Sequence, residues 1–354
     1  MRRTLYILAV NLLLLAGGLG LLEIGARARD YGGVRNALSS LLQPEPSRFG
    51  GTENRRDWLV TDPDLGYRLN PAADAVNMIG IRAPEVRVPK PPGRFRVIVV
   101  GDSVAWDERG FVPQIADRLE APPGMSIEVI NAAIPGYTTF QERTLLERDL
   151  LGFDPDLVLV QYCLNDHHRF LHFVNGSGDW LVTEEAKQRL QLDGDGWGAY
   201  LTRHSALVRQ LRFAVRARIE IDGNAFLARQ SHHFGPAWQD EPVRAVEAHL
   251  IAMRDAVQAQ GAGFAILVPP IAEQLEPRWL DWNEAIVLAP QRRLAAFAER
   301  EGIPLLDLHP AFRAAAPDVL FRDLLHFTDR GHEITARELL IFLKEQKLLP
   351  DRRT

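Results

Sequence analysis

The chain has 354 residues, 46% hydrophobic and 25% charged, enough for one large domain or two modest ones with a sizeable core. A formal net charge of −5 gives no basis for nucleic-acid binding. The single cysteine, Cys163, excludes an internal disulfide and any zinc site built on four cysteines.

Arg2 and Arg3 precede an apolar run from Leu5 to Leu22, broken only by Asn11 and small glycines. About 18 to 20 apolar residues can span a bilayer. Residues 1–28 therefore read as an uncleaved N-terminal membrane anchor, a single transmembrane helix. Ala26-Arg27-Ala28 nominally offers a signal-cleavage site, but Glu23 and the neighbouring arginines suit it poorly. Flanking charge barely sets orientation, while the short N-terminal flank favours a periplasmic or extracellular position for the bulk of the chain. Residues 29–93, rich in Pro, Gly, Asn and Arg, read as a stalk and approach segment with little regular structure. Within it, Asp62-Pro63-Asp64-Leu65-Gly66-Tyr67 predicts a turn and Ile79-Gly80-Ile81-Arg82 a short strand.

From Arg96 the pattern alternates strand and helix. Strand Arg96–Gly101 leads to helix Phe111–Glu120, which the Pro122-Pro123-Gly124 break ends. Strand Ser126–Asn131, a loop through Gly136, helix Phe140–Leu151 and strand Asp156–Gln161 follow. Residues 167–240 break the rhythm and read as an insertion or lid, with a basic helical stretch at Ser205–Ile219 whose solvated face is the simpler reading. Regularity returns with helix Pro242–Gln260, strand Gly263–Val268, helix Ala289–Glu301, strand Pro304–Asp307 and a last helix from Glu333 to Gln346. Such alternation predicts an α/β domain over residues 94–354, with five mostly parallel strands and helices on both faces.

In such a sheet, chemistry sits beyond the carboxyl ends of the strands. Ser103 falls at one, in a strand-to-helix turn where a nucleophilic hydroxyl would stand exposed; simple helix capping by Asp102 and Ser103 is the alternative. A serine needs a base and a group that orients the base. Asp323 and His326 lie three residues apart, a spacing that lets the carboxylate turn back to Nδ1 and leaves Nε2 for Ser103. A developing oxyanion needs donors. The Ser103 N–H, the Gly136 N–H and the Asn165 side chain all fall at the same sheet edge. His167, His168 and His172 cluster, but no Asp or Glu nearby completes an evident metal set, so neither metal nor other cofactor is expected.

Gly101-Asp102-Ser103, Gly136, Asn165-Asp166 and Asp323-Leu324-Leu325-His326 resemble the four blocks of the SGNH/GDSL hydrolase superfamily. The resemblance runs from about residue 94 to the C-terminus, and Gly66-Tyr67 with Gly80-Ile81-Arg82 is similar to the approach segment of membrane-anchored bacterial members. It implies a three-layer α/β/α flavodoxin-like fold. It also implies Ser103 as nucleophile, His326 as base and Asp323 as its orienting carboxylate, with an oxyanion hole of Ser103, Gly136 and Asn165. No metal takes part. His332 follows the histidine block and is given no catalytic role. Two departures stand out. Cys163 replaces the glycine usual two residues before the asparagine, and Val104-Ala105-Trp106-Asp107-Glu108 after the nucleophile is bulky and acidic.

The expected activity is a serine esterase that removes an acyl group, with acetyl the first expectation, from a carbohydrate or lipid ester through an acyl-enzyme. The same residues would also serve an O-acyltransferase acting on an envelope polysaccharide. A third reading, a non-catalytic carbohydrate-binding module that keeps the fold, is disfavoured because all five site residues are intact.

Overall fold

A computed structural model describes residues 2–30, 34, 38, 59–170, 172–174, 180–182, 205–208, 210–211, 225–230, 234–316 and 318–350. The first part of the expected stalk, His232-His233 and most of the expected insertion, including most of its basic stretch, lie outside the described residues. The chain divides into two compact units, one of residues 1–54 with 187–232 and one of residues 55–186 with 233–354.

In the first unit, α1 runs over Arg2–Asp30 as one helix. Its Glu23 pairs with Arg27 at 2.7 Å. The same carboxylate accepts hydrogen bonds from Ser205 Oγ at 2.6 Å, Ala206 N at 2.8 Å and Leu207 N at 2.9 Å, and so caps the helical stretch that begins at residue 206. The transmembrane span expected from the sequence is not supported. Among the described residues no helix is long and apolar enough to cross a membrane, and α1 carries this partly buried ion pair toward its C-terminal end.

The second unit is built on five parallel strands: β3 (Arg94–Val100), β4 (Ser126–Asn131), β5 (Leu157–Gln161), β8 (Gly263–Val268) and β9 (Leu305–Asp307). Their spatial order is β4-β3-β5-β8-β9, with every neighbouring pair parallel. This is the flavodoxin-like order, in which the strand sequence reverses between β3 and β5. Two antiparallel hairpins lie outside the sheet: β1 (Leu59–Asp62) with β2 (Gly66–Leu69), and β6 (His172–Val174) with β7 (Trp180–Val182).

The sheet is parallel and buried on both faces, which explains its continuous apolar strands. Side chains alternate across it. Ile98, Val100, Val158, Val160, Ile266 and Val268 face one core, which they share with helices α4 (Thr139–Arg148), α6 (Asp240–Gln258) and α8 (Ala289–Glu301). Val97, Val99, Leu157, Leu159, Ala265 and Leu267 face the other, with α3 (Phe111–Arg118), α9 (His309–Ala314) and α10 (Asp329–Glu345). The second unit also holds α2 (Ser103–Trp106) and α7 (Pro277–Val287), and the first unit holds α5 (Ala225–Gln230).

Three further sequence expectations need correction. Ile79–Arg82 is a turn, not a strand. Gly80 takes φ +81°, Asn77 N donates to Ile81 O at 2.9 Å, and Ile81 N donates to the Asn77 side chain at 3.2 Å. A local side-chain bond has here displaced a ladder. The approach segment is also more ordered than its composition suggested. The turn at Asp62–Tyr67 closes the β1–β2 hairpin, and Leu59, Leu65, Tyr67, Leu69 and Ile81 are buried in the first core. The last helix starts four residues early, at Asp329, because the Thr328 hydroxyl accepts from Gly331 N at 3.3 Å.

Candidate active site

The strand order brings the ends of β3 and β5 side by side at the reversal point, where ligands bind in such sheets. Ser103 follows β3 and Asn165 follows β5. Ser103 opens α2, and Asp102 caps it: Oδ1 accepts from Val104 N at 2.9 Å. Capping and nucleophile placement are thus compatible. The carboxylate closes the turn, and the serine hydroxyl is left for the partner across it.

That partner is His326, whose Nε2 lies 2.8 Å from Ser103 Oγ. On the other side of the ring, Nδ1 lies 2.7 Å from Asp323 Oδ2. The spacing of three works because Asp323 Oδ1 accepts from both Leu325 N at 3.0 Å and His326 N at 2.8 Å, which folds the loop back on its own carboxylate. The loop is fastened at its base by a bridge between Phe321 and Phe327, by Arg322 N donating to His326 O at 2.8 Å, and by Ala272 N donating to Leu324 O at 2.8 Å. Phe327 is buried against Phe312 and Phe321, so the histidine stands on a packed aromatic base.

Electrostatics follow the geometry. Burial acts to lower the His326 pKa, but the hydrogen bond and charge of Asp323 outweigh it, and the imidazole is held above its ordinary 6.5. Burial acts to raise Asp323, yet its bonds to His326 and to the loop N–H groups bring it to about 2. The carboxylate is therefore charged throughout the range in which the histidine titrates.

The three expected oxyanion donors lie at this edge. Gly136 sits at φ +76° in the loop after β4, a left-handed conformation that favours glycine. That loop is tied to the nucleophile strand by Ile134 N donating to Gly101 O at 3.0 Å. Asn165 is buried in the turn after β5, where Asp166 N donates to Cys163 O and Asp166 Oδ2 accepts from Cys163 N at 2.9 Å. Cys163, in place of the usual glycine, is itself buried beside Asp102 and Asp166, and burial first of all pushes its thiol up. The bulky stretch after Ser103 is accounted for locally. Val104 and Ala105 are buried, Arg82 stacks 3.7 Å over the Trp106 ring and bonds Glu108 at 2.5 Å, and Arg322 pairs with Asp107.

Three residues to which the sequence analysis gave no role complete the support. Gln161, the last residue of β5, is fully buried, and its Oε1 accepts from Asp102 N and Ala105 N at 3.2 Å each. Asn131, the last residue of β4, donates to Ala105 O at 2.8 Å. Tyr67 of β2 donates to Pro135 O at 2.7 Å. The two strand-end positions could have been found by asking which polar residues close buried parallel strands. Tyr67 was marked only by the Gly66-Tyr67 resemblance, which carried no role for its hydroxyl.

His332 is buried and accepts from Phe111 N at 3.3 Å through Nδ1, which makes it a packing residue. His167 Nε2 lies 2.6 Å from the Tyr162 hydroxyl, and the side chain of His172 lies outside the described structure. Among the described residues no group of three or more His, Cys, Asp or Glu could hold a metal ion. Behind the nucleophile, Asp102, Asp166 and Glu142 are buried carboxyls: burial raises the pKa of all three, the charge of Asp102 adds to the rise at Asp166, and those of Asp166 and Asp102 add to the rise at Glu142.

A parallel α/β sheet with a serine, a histidine and a carboxylate hydrogen-bonded in line at its carboxyl edge defines a serine hydrolase. The chain belongs to the GDSL-like lipase/acylhydrolase family, whose pattern matches residues 99–334, and it is an ester-hydrolysing enzyme. No curated protein matches it in sequence. Among solved structures it is similar to Axe2, an acetylxylan esterase from Geobacillus stearothermophilus. Identity is 18%, covering 70% of this chain and 94% of that one, with a TM-score of 0.44. It is also similar to the acetyl xylan esterase AlAXEase, at 16% identity over 70% and 98% of the two chains and a TM-score of 0.43. TesA matches at 17% identity over 71% and 98%, with a TM-score of 0.40.

Proposed function

We propose that the enzyme cleaves a short acyl ester, acetyl in the first instance, from a carbohydrate or lipid carrier through an acyl-enzyme on Ser103. The observation that carries this reading is the unbroken line of hydrogen bonds Asp323 Oδ2 to His326 Nδ1 and His326 Nε2 to Ser103 Oγ. His326 takes the hydroxyl proton as Ser103 Oγ attacks the ester carbonyl. The tetrahedral oxyanion is met by the Ser103 and Gly136 N–H groups and the Asn165 amide. His326 then protonates the departing alcohol, and the same base activates the water that releases the acid.

The test compares wild type with Ser103→Ala for hydrolysis of short-chain nitrophenyl esters and for labelling by a fluorophosphonate probe. Loss of a triad member costs roughly 10³- to 10⁶-fold in kcat. The proposed roles stand if the variant loses both reactions; wild-type turnover in the variant sinks them.

We further propose that the N-terminal helix holds the enzyme at a membrane. Leu14, Leu15, Leu19, Leu21 and Leu22 of α1 are exposed, an apolar surface suited to lipid. Carbonate extraction of membranes from producing cells tests this: the protein is expected in the pellet, and release into the supernatant overturns the anchor.

A further inference from the structure

The β1–β2 hairpin lies outside residues 99–334, which the family pattern covers, yet it touches the candidate site at one consequential atom. Tyr67 is fully buried, and its hydroxyl donates to the carbonyl oxygen of Pro135 at 2.7 Å. That carbonyl and the Gly136 N–H belong to the same peptide unit. A trans peptide is planar, and its C=O and N–H point in opposite directions. Fixing the Pro135 oxygen therefore fixes the direction of the Gly136 N–H. A donor on the carbonyl also polarises the unit and makes its N–H a better donor.

The contact is locked from both sides. Tyr137, the residue after Gly136, sends its own hydroxyl back to Tyr67 O at 2.6 Å, and the two rings meet edge to face with centroids 5.4 Å apart. Gln141 Nε2, one turn into α4, donates to Leu65 O at 2.7 Å. Tyr137 and Gln141 are fully buried too. The loop's left-handed glycine gives it freedom, and the hairpin removes that freedom.

We infer that Tyr67 is a positioning residue for ester hydrolysis: its hydroxyl aims and polarises the Gly136 N–H as an oxyanion donor. This rests on the proposed oxyanion hole, and it adds to that hole a part that the family pattern does not contain. A group that acts only on the developing oxyanion changes kcat and leaves ground-state binding alone.

The experiment measures kcat, KM and thermal midpoint for wild type, Tyr67→Phe, Tyr137→Phe and Ser103→Ala, with rates normalised to the concentration of folded protein. Tyr67→Phe keeps the ring and removes only the donor. It is expected to lower kcat about 10-fold with KM within about twofold of wild type, less than the 10²- to 10³-fold loss seen when an oxyanion donor is removed outright. Tyr137→Phe loosens the hairpin without touching the Pro135 carbonyl, so its kcat loss is expected to be smaller than that of Tyr67→Phe at a similar fall in midpoint. Wild-type kcat in Tyr67→Phe, or equal kcat losses in the two tyrosine variants, overturns the inference. Turnover retained by Ser103→Ala would instead overturn the reading of the site itself, so the two failures are distinguishable.

Discussion

Gly101 and Gln161 are in contact that leaves no room for a side chain on the glycine: a Cβ there would lie 2.7 Å from Gln161 Oε1 and 3.0 Å from Gln161 Cβ. The same oxygen holds the N–H groups of Asp102 and Ala105 on either side of the nucleophile. The glycine of the Gly-Asp-Ser block is thus required by a buried amide one strand away. Gly101→Ala is expected to destabilise the enzyme by about 1–3 kcal/mol, the usual cost of overpacking a closed site, and to lower kcat by displacing Ser103. Trimming the obstacle relieves the clash, so Gly101→Ala with Gln161→Ala costs less than the sum of the single changes. A denaturation double-mutant cycle measures the coupling; strict additivity would mean that the two residues do not compete for this space.

The pH profile follows from the paired shifts at His326 and Asp323. The base must be neutral to take the Ser103 proton, so activity climbs as pH rises through the pKa of His326. Asp323 holds that pKa above 6.5, which places the acid limb of kcat/KM above 6.5. Asp323→Asn removes the charge that raises it. The limb is then expected to move to lower pH while the plateau falls roughly 10²- to 10⁴-fold. The pair also bears on stability. The contribution of His326, whose folded pKa is raised, is complete below 6.5 and lost as pH rises through that higher value. That of Asp323, depressed to about 2, is present above the ordinary 3.8 and lost as pH falls toward 2. Initial rates across pH for both proteins check this, and an unmoved limb in Asp323→Asn would contradict it.

Glu142 is a different kind of carboxyl. It is buried, neither of its oxygens has a hydrogen-bond partner among the described residues, and burial followed by the charges of Asp166 and Asp102 pushes it well above its ordinary 4.5. The folded state then binds a proton that the unfolded state has lost, so stability falls as pH rises from 4.5 toward the raised value. Glu142→Gln keeps the shape and removes the titration. Its stability relative to wild type is expected to grow as pH rises from 4.5, as read by urea midpoints across pH. Parallel curves for the two proteins would show that Glu142 carries no such proton.

Particular residues show what the sequence could and could not reveal. The five parallel strands were legible because a strand buried on both faces must be apolar along its length, as Val97 to Val100 and Leu157 to Val160 are. Ser103, His326 and Asp323 were legible because hydrolysis needs those residue types at strand ends, and the structure places them in hydrogen-bonding contact. The hairpin around Tyr67 was legible only as the turn Asp62–Tyr67, because its order comes from packing against Tyr137, 70 positions away, and the local composition of prolines and glycines argues for a linker. Gln161 reads as one more strand residue until the neighbouring strand is in place. Ile79–Arg82 misled for the opposite reason: apolar alternation suggested a strand, while the Asn77 side chain had already closed the turn.

Asn165 offers the most direct test of the proposed oxyanion hole. Its side chain is buried at the end of β5, and the bonds between Asp166 and Cys163 hold the turn that presents it. Those bonds involve the main chain of Cys163 and the main chain and side chain of Asp166, not the Asn165 side chain, so Asn165→Ala leaves the turn intact and removes only an amide. A donor aimed at the transition state contributes little to substrate binding. Asn165→Ala is therefore expected to lower kcat by about 10²- to 10³-fold with KM little changed. Asn165→Asp replaces the donor with a negative charge facing the oxyanion and is expected to be worse still. Steady-state kinetics on a short-chain nitrophenyl ester distinguish the cases. A rise in KM at constant kcat would place Asn165 in substrate binding instead and leave the oxyanion to the Ser103 and Gly136 N–H groups alone.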